Sequence, residues 1–201
     1  MLMAPSDKPV PPAAPPDESS LVERARGGDA EAFRVLVERY QDRVFALARR
    51  MLGEREEAEE VAQDAFLRAW RALPRFRGDA LFPTWLYRIT YRRACDAAAS
   101  LRSRRRRERD LGMAGAIADP AQAAGPGAGE ALERHIASLP EAQRAAITLF
   151  YYQDRSLDEV ARILGLPEGT VKTHLHRARA ALRRALRREE ARETGHGLQR
   201  V

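Results

Sequence analysis

Apolar residues recur at every third or fourth position along most of the chain after residue 20, which is the spacing that lines one face of an α-helix. The longest early run of this spacing extends from Phe33 to Met51. Asp29 before it is a suitable N-cap, and Gly53 after it is suited to end the helix. Strand-like alternation is not sustained over any useful length of the sequence. The pattern therefore predicts an all-α protein.

The next predicted helix has a distinctive order of charges. It opens with glutamates and closes with Arg68 and Arg71, an order that complements the helix dipole, and Pro74 ends it. After a loop, helical periodicity resumes near Pro83 and runs into a very basic stretch at 92–109. The first half of the chain thus reads as a small helical domain.

The second half has the parts of a DNA-reading helix-turn-helix. Two short helices are predicted at about 132–139 and 142–152. Ser156 and Glu159 then form a capping box that starts a third, a turn containing glycine follows at 165–167, and a basic helix comes next. An ordinary helical hairpin with a solvated basic face is the alternative. The residues predicted to face outward are Lys172, Thr173, His176, Arg177 and Arg179.

Proline and glycine mark the boundaries between these parts. Six prolines with almost no large apolar side chains predict a disordered tail over residues 1–19. Five glycines and two prolines among alanines predict a flexible linker over 110–129. We therefore expect two small helical domains, at 20–109 and 130–188, and a flexible C-terminal tail at 189–201.

The charge of the chain points to a polyanionic partner. Lys and Arg number 35 against 29 Asp and Glu, a net charge of +6, and only two of the basic residues are lysine. A GC-rich genome would explain the arginine content equally well. An acidic run at 54–64 holds six acids and one arginine, whereas a basic run at 92–109 holds eight arginines and two acids. Residues 172–188 carry +7 without an acid. We expect two nucleic-acid faces and a separate protein-binding face, with solvated helix surfaces as the alternative.

Several classes of function are excluded. The single cysteine, Cys95, cannot form an internal disulfide or a cysteine-based zinc site, and the four histidines lack metal-ligand spacing. The sequence contains no nucleophile–base pair and no glycine loop that would cradle a phosphate. Its apolar runs stay short of a membrane span, and its start does not resemble a signal peptide. We expect a cytoplasmic protein without membrane insertion, enzymatic activity, cofactor or metal.

Three polar residues form a candidate binding face beside the apolar stripe of the acidic helix. Glu60, Gln63 and Asp64 lie together at helical spacing. Paired carboxylates are compatible with acid–base chemistry or a metal site, but nothing else in the sequence supports either. We expect a solvated docking face for a basic partner helix, and we call these three residues the docking face.

Aromatic residues alternate with arginines over 75–89. This composition is typical of proteins that hold single-stranded nucleic acid, because rings stack on bases and arginines follow phosphates. The alternative is that the rings are core. We assign Leu86 and Ile89 to the core and leave both interpretations open for Phe76, Phe82, Trp85 and Tyr87.

Three groups of motifs occur in order, namely EVAQDAFLRAW at 60–70, FRGD at 76–79 with TWLYRI at 84–89, and SLDEVA at 156–161 with GTVK at 169–172 and RAR at 177–179. Together they resemble the extracytoplasmic-function (ECF) sigma factors, which are specificity subunits of bacterial RNA polymerase. The resemblance covers about 20–109 and 130–188, and the three motif groups in this order are highly specific.

The resemblance implies a division of labour. The acidic helix would dock on the clamp of the polymerase's largest subunit. The loop and helix from Arg75 to Arg93 would open the −10 element and hold an extruded base, and for this reason we call residues 75–89 the −10 segment. The linker would thread the RNA channel, and the helix-turn-helix would read −35. The implied core-polymerase contacts are Glu60, Gln63, Asp64, Phe66 and Leu67. The implied −10 contacts are Phe76, Arg77, Asp79, Phe82, Trp85, Tyr87, Arg88, Arg92 and Arg93. The implied −35 contacts are Lys172, Thr173, His174, His176, Arg177 and Arg179.

Two positions depart from the pattern of the family. Arg92 stands where many members carry asparagine in the −10 pocket, and Thr173-His174 stands where many carry arginine or Ser-Arg. Both departures bear on which promoter sequence is preferred.

The implied partners are core RNA polymerase and promoter DNA, and the free protein is expected to be a monomer. An anti-sigma factor is a further partner that the family allows, and it could hold the protein at the membrane. One rival is a free-standing helix-turn-helix regulator, although residues 20–109 lack the strand–helix alternation of a receiver domain. A second rival is a degenerate sigma-like protein that binds polymerase or an inhibitor without opening promoters.

Overall fold

The computed structural model describes the backbone of residues 17–111 and 128–197, and the side chains of 17–111 and 131–189. Within these ranges every regular element is helical, which confirms the all-α prediction. Most of the predicted N-terminal tail and linker lie outside the described residues. The helices are α1 (Glu18–Arg26), α2 (Ala30–Leu52), α3 (Arg55–Ala72), α4 (Phe82–Asp110), α5 (Ala128–Ala137), α6 (Glu141–Ile147), α7 (Leu157–Leu164) and α8 (Glu168–Gly197).

Helices α1 to α4 pack together as the first half of the molecule. The Asp29 carboxylate caps α2 by accepting hydrogen bonds from the backbone N–H groups of Glu31 and Ala32, each at 3.0 Å. Gly53 ends α2 in the left-handed region at φ 83°, which suits a residue without a side chain. Helix α4 is one continuous element of 29 residues. The basic run at 92–109 therefore lies on the same helix as residues 82–89 of the −10 segment.

Helices α5 to α8 form the second half. Ser156 caps α7 by accepting a hydrogen bond from the Glu159 N–H at 3.2 Å, and the Glu159 carboxylate accepts one from the Ser156 N–H at 2.9 Å. This is the capping box expected from the sequence. Gly165, at φ 69°, makes the turn into α8, whose helical backbone continues to Gly197, inside the predicted C-terminal tail.

The two halves also pack against each other, a contact that the sequence did not suggest. Helix α4 lies against α7, and α2 lies against α5 and α6. The buried apolar residues of both halves belong to one continuous cluster. The expectation of two separate domains stays a prediction, because the shared cluster does not say whether each half folds alone.

No helix within the described ranges is both long and apolar enough to cross a membrane.

Candidate docking and nucleic-acid interfaces

The docking face lies on α3, and its three members differ in their surroundings. Glu60 and Gln63 are exposed, as expected. Asp64 is only 34% exposed, because its Oδ2 accepts hydrogen bonds from the Nε of Arg68 at 2.9 Å and the Nε of Arg93 at 2.5 Å. Burial opposes ionisation of this carboxyl, but the two guanidinium groups outweigh it and hold the pKa of Asp64 below its usual value. Asp64 is therefore a paired residue, and the expectation that it is freely solvated is wrong.

An apolar groove of about 490 Å³ adjoins the docking face between α2 and α3. The Phe33 and Trp70 rings lie 4.9 Å apart in its wall, and Leu67 is 55% exposed at its edge. Phe66 and Val37 also line it, so the predicted contacts Phe66 and Leu67 do lie beside the docking face. Sequence reasoning missed Phe33, Val37 and Trp70, since their helical spacing is equally typical of a core. A partner helix would need apolar as well as basic side chains here.

The acidic run and the basic run contact each other instead of forming separate faces. Helices α3 and α4 lie antiparallel, so Arg104 pairs with Glu57 at 3.1 Å and Arg105 with Glu54 at 3.0 Å. The expectation that the acidic run stands alone is therefore wrong for its first turn. These are solvent-accessible pairs that contribute little stability individually. They neutralise Glu54 and Glu57, whereas Glu60 is exposed and forms no ion pair within the described part of the chain.

The −10 segment contains two half-buried rings and two buried rings. Phe76 and Trp85 are half-buried with their centroids 4.9 Å apart, so part of each ring reaches the surface. Phe82 is 4% exposed and Tyr87 is 0% exposed, so both rings belong to the core in this arrangement. The sequence left open whether these four rings are core residues or nucleic-acid contacts. Phe82 and Tyr87 are core residues, and Phe76 and Trp85 are partly accessible. Contact of any of them with DNA stays a prediction.

A cavity of about 820 Å³ opens beside the two half-buried rings. It is lined by Phe76 and Trp85, by arginines of the first half, and by Arg162 and Gly165 of the second half. Rings next to guanidinium groups can accommodate an unstacked base with its phosphate. The arginines of the first half that line it are Arg75, Arg77 and Arg88, and Asp79 lies among them.

The remaining predicted −10 contacts lie farther along α4. Arg92 is exposed, whereas Arg93 is half-buried. The Arg93 guanidinium binds Asp64 through Nε and Asp96 through Nη1 at 3.0 Å. Arg93 is thus occupied within the chain, and it connects α4 with the docking face on α3.

The outer face of α8 carries the predicted DNA-reading residues. Lys172, His176, Arg177 and Arg179 are exposed, and Thr173 is exposed with its hydroxyl donating to the Gly169 carbonyl at 2.9 Å. We call these five residues the recognition face. They occupy the same side of α8 because Val171, Leu175 and Ala178 turn the other side into the core.

His174 does not lie with the recognition face. Its ring is half-buried, and within the described part of the chain its buried Nδ1 lacks a hydrogen-bond partner. Sequence reasoning included it because of its position next to Thr173. The helical register places it nearer the core.

Among the described side chains, no group of three His, Cys, Asp or Glu residues is arranged to hold a metal ion.

Comparison with known proteins gives consistent matches along the chain. The family model of sigma-70 region 2 matches residues 36–107, and that of sigma-70 region 4 matches 129–182. The RNA polymerase sigma-H factor of Pseudomonas aeruginosa is 37% identical over 84% of this chain and 93% of its own length. The ECF RNA polymerase sigma-E factor of Escherichia coli K12 is 38% identical over 81% of this chain and 90% of its own. The solved structure of the sigma factor RpoE from Bartonella quintana, in complex with the anti-sigma factor NepR, matches with a TM-score of 0.62 and 25% identity, covering 77% of this chain and 96% of that one.

Proposed function

The chain is an ECF sigma factor of the sigma-70 family, and from this premise we propose that it binds core RNA polymerase through α3 and reads promoter DNA with both of its halves. Region 2 and region 4 both match, in that order, and the chain covers 93% of the length of its Pseudomonas aeruginosa relative. The observation that carries the proposal is that each matched region presents a surface suited to its task. We infer that the protein acts as a specificity subunit and has no enzymatic activity of its own.

The surface proposed for core polymerase combines charge with an apolar groove. Glu60 and Gln63 are exposed on α3, and the groove lined by Phe66 and Leu67 lies beside them. A basic amphipathic partner helix would satisfy both parts. Acidic side chains would weaken contact with DNA, so a protein partner accounts for them better than a nucleic-acid one does.

The surface proposed for the −10 element is the cavity beside Phe76 and Trp85. Its rings and the neighbouring guanidinium groups of Arg77 and Arg88 provide stacking and phosphate contacts for an extruded base. The protein then needs no nucleotide hydrolysis, because the free energy of base capture favours the open strands.

The surface proposed for the −35 element is the recognition face of α8. A helix-turn-helix places its second helix in the major groove, where arginine can donate two hydrogen bonds to one guanine. Arg177 and Arg179 are exposed there without a competing ion pair in the described part of the chain. We assign Lys172 to a contact with the phosphate backbone of the DNA.

A protein inhibitor is a further proposed partner. The Bartonella quintana relative was solved in complex with an anti-sigma factor. The same surfaces that bind polymerase and DNA here would be the ones such an inhibitor has to cover.

Transcription in vitro with core polymerase and a library of genomic fragments tests the proposal. We expect defined transcripts only when the full chain is added, and we expect none with the docking variant Glu60→Lys/Gln63→Lys. DNA binding without any effect on core polymerase would favour the free-standing regulator. Core binding without transcripts, under conditions where a known sigma factor initiates, would favour the degenerate sigma-like protein.

A further inference from the structure

The cavity at Phe76 and Trp85 is composite, because the second half supplies part of its wall. Arg162, near the end of α7, and Gly165, in the turn after it, line the cavity together with residues of the first half. The Arg162 guanidinium donates a hydrogen bond to the backbone carbonyl of Asp79 at 3.4 Å, which brings it to the rim. The task proposed for the second half, reading the −35 element with α8, gives neither residue a role at this position.

Positive charge is concentrated around this cavity. Its described lining residues include four arginines and one aspartate, a net charge of +3. Arg75, Arg77 and Arg88 are exposed, and none of them forms an ion pair within the described part of the chain. Arg162 pairs with Asp158 of its own helix at 3.0 Å. At least three guanidinium groups are thus available to a ligand, and each can donate two hydrogen bonds to one phosphate.

The start of α4 adds to this attraction for anions. Thr84, in the first turn of the helix, lines the cavity, and the N-cap residue Leu81 makes no side-chain hydrogen bond to the first backbone N–H groups. The free N–H groups and the dipole of a helix favour negative charge at its N-terminus. This effect supplements the arginines, which carry the larger share of the charge.

The two half-buried rings provide an apolar surface beside these charges. Phe76 and Trp85 lie with their centroids 4.9 Å apart and their planes at 43°, and both line the cavity. Aromatic rings stack on every nucleobase, since each base has a π-face. A volume of about 820 Å³ lies within the range of ordinary small-molecule sites and leaves room for a base, a sugar and several phosphates.

The arrangement of charge favours a free nucleotide as the ligand of this composite cavity. A single strand carries one charge per nucleotide and spreads its phosphates along a surface, whereas a nucleoside triphosphate gathers its phosphates next to one base. The cavity likewise gathers its arginines around one pair of rings. We propose that the free protein binds a nucleoside diphosphate or triphosphate here, with the base against Phe76 and Trp85 and the phosphates between Arg162 and the arginines of the first half.

A nucleotide in this cavity has two consequences for the protein. It contacts both halves, so it stabilises the arrangement in which Arg162 faces the rings. It also occupies the rings that the proposed function assigns to an extruded base, so nucleotide and promoter strand exclude each other and the protein responds to nucleotide concentration. Nucleotide binding by the free chain does not depend on whether the −10 segment holds promoter DNA.

Isothermal titration calorimetry of the full chain tests the site with GTP, ATP, inorganic triphosphate and guanosine, at about 0.15 M salt to screen exposed charges. We expect GTP and ATP to bind alike, and about tenfold more tightly than inorganic triphosphate or guanosine, because stacking and charge both contribute. GTP should also raise the melting temperature. Inorganic triphosphate binding as tightly as GTP would show a general anion surface and would overturn the proposal.

Arg162→Ala is the most informative variant, since it removes the contribution of the second half and leaves the rings in place. We expect it to weaken GTP binding about tenfold, as the loss of a hydrogen bond from a charged group does, and to reduce the rise in melting temperature. Arg162→Lys keeps the charge without the fork and should lie between. Arg34→Ala is the matched control, because Arg34 is also an exposed helical arginine that pairs within its own helix, with Glu31 and Glu38. It should bind GTP like the wild type.

Equal GTP affinity of Arg162→Ala and Arg34→Ala would overturn the composite site. Loss of binding to a labelled single-stranded DNA, but not to GTP, in Arg162→Ala would do the same and assign the cavity to a strand. Failure of the proposed function gives a different result. A chain that binds GTP through Arg162 but never supports transcription with core polymerase keeps the nucleotide site and overturns the proposed promoter opening. A chain that transcribes but does not bind GTP does the reverse.

Discussion

On the recognition face, arginine and lysine are expected to contribute differently to DNA binding. A planar guanidinium can bond two acceptors of one guanine, whereas an ammonium acts as a point charge. We expect Arg177→Ala to weaken discrimination between promoter sequences by about 1–3 kcal/mol. Lys172→Ala should weaken binding to all sequences alike. Competition binding against a promoter library measures both effects, and an unchanged ranking of promoters for Arg177→Ala would show that Arg177 does not read a base.

On the docking face, the informative residues are Glu60 and Gln63. Replacing Asp64 by lysine would put a third positive charge beside Arg68 and Arg93, so a loss of binding could reflect disturbed packing. The variant Glu60→Lys/Gln63→Lys avoids this, because both side chains are exposed. We expect it to fold normally and to lose about 2 kcal/mol or more of core-polymerase affinity through like-charge repulsion.

The control for this variant is Glu23→Lys/Ser100→Lys, which changes the net charge equally at exposed positions away from the groove. A pull-down titration with core polymerase should separate the two proteins. If both retain wild-type affinity, α3 is not the docking helix. DNA binding at low salt should be unchanged or slightly stronger in both.

At the level of the helices, the capping box of α7 makes a measurable contribution to stability. Ser156→Ala removes the acceptor for the Glu159 N–H at the start of the helix. We expect the free energy of unfolding to fall by about 1 kcal/mol in urea denaturation. Ser100→Ala, at an exposed position inside α4, is the matched control and should be nearly neutral. Equal stability of the two variants would mean that α7 is held by packing alone.

The cap of α2 should respond to acid. The backbone N–H of Ala32 and the Arg24 guanidinium hold the pKa of Asp29 below its ordinary value of 3.8, against a smaller opposing effect of burial. Because the pKa of Asp29 is lower in the folded state than in the unfolded state, its ionised carboxylate stabilises the fold at pH values above the unfolded-state pKa. This stabilisation is lost as the pH falls through the folded-state pKa. Asp29→Asn keeps a capping oxygen that does not titrate. Its melting temperature should therefore decline less steeply than that of the wild type below about pH 4, and parallel declines would contradict this.

For the whole molecule, the predicted linker should tolerate change. We expect cleavage or a glycine–serine insertion between Asp110 and Gly129 to leave both halves helical, because few apolar side chains in that stretch could join them. Circular dichroism and thermal melting measure this. A large loss of helicity on cleavage would mean that the cluster shared by α4 and α7 is needed for folding.

Interactions within one helix or one turn were predictable from the sequence. The spacing of apolar residues indicated the helices, and Asp29 and Ser156 indicated where two of them begin, because a cap involves residues only two or three positions apart. The exposure of Lys172 and Arg177 followed from the same periodicity. The motifs also identified the family, since each of them is a local run of residues.

Contacts between distant segments depended on how the helices pack. Periodicity shows that one face of α4 is buried, but not that Tyr87 is covered by the second half while Trp85 stays partly exposed. It likewise could not show that Asp64 meets Arg93 across two helices. Burial of Gln153 was equally hidden, because a glutamine after a tyrosine pair resembles a loop residue until Tyr87 and Arg43 are brought to it. Such pairings arise from the free energy of the assembled core, to which residues far apart in the sequence contribute together.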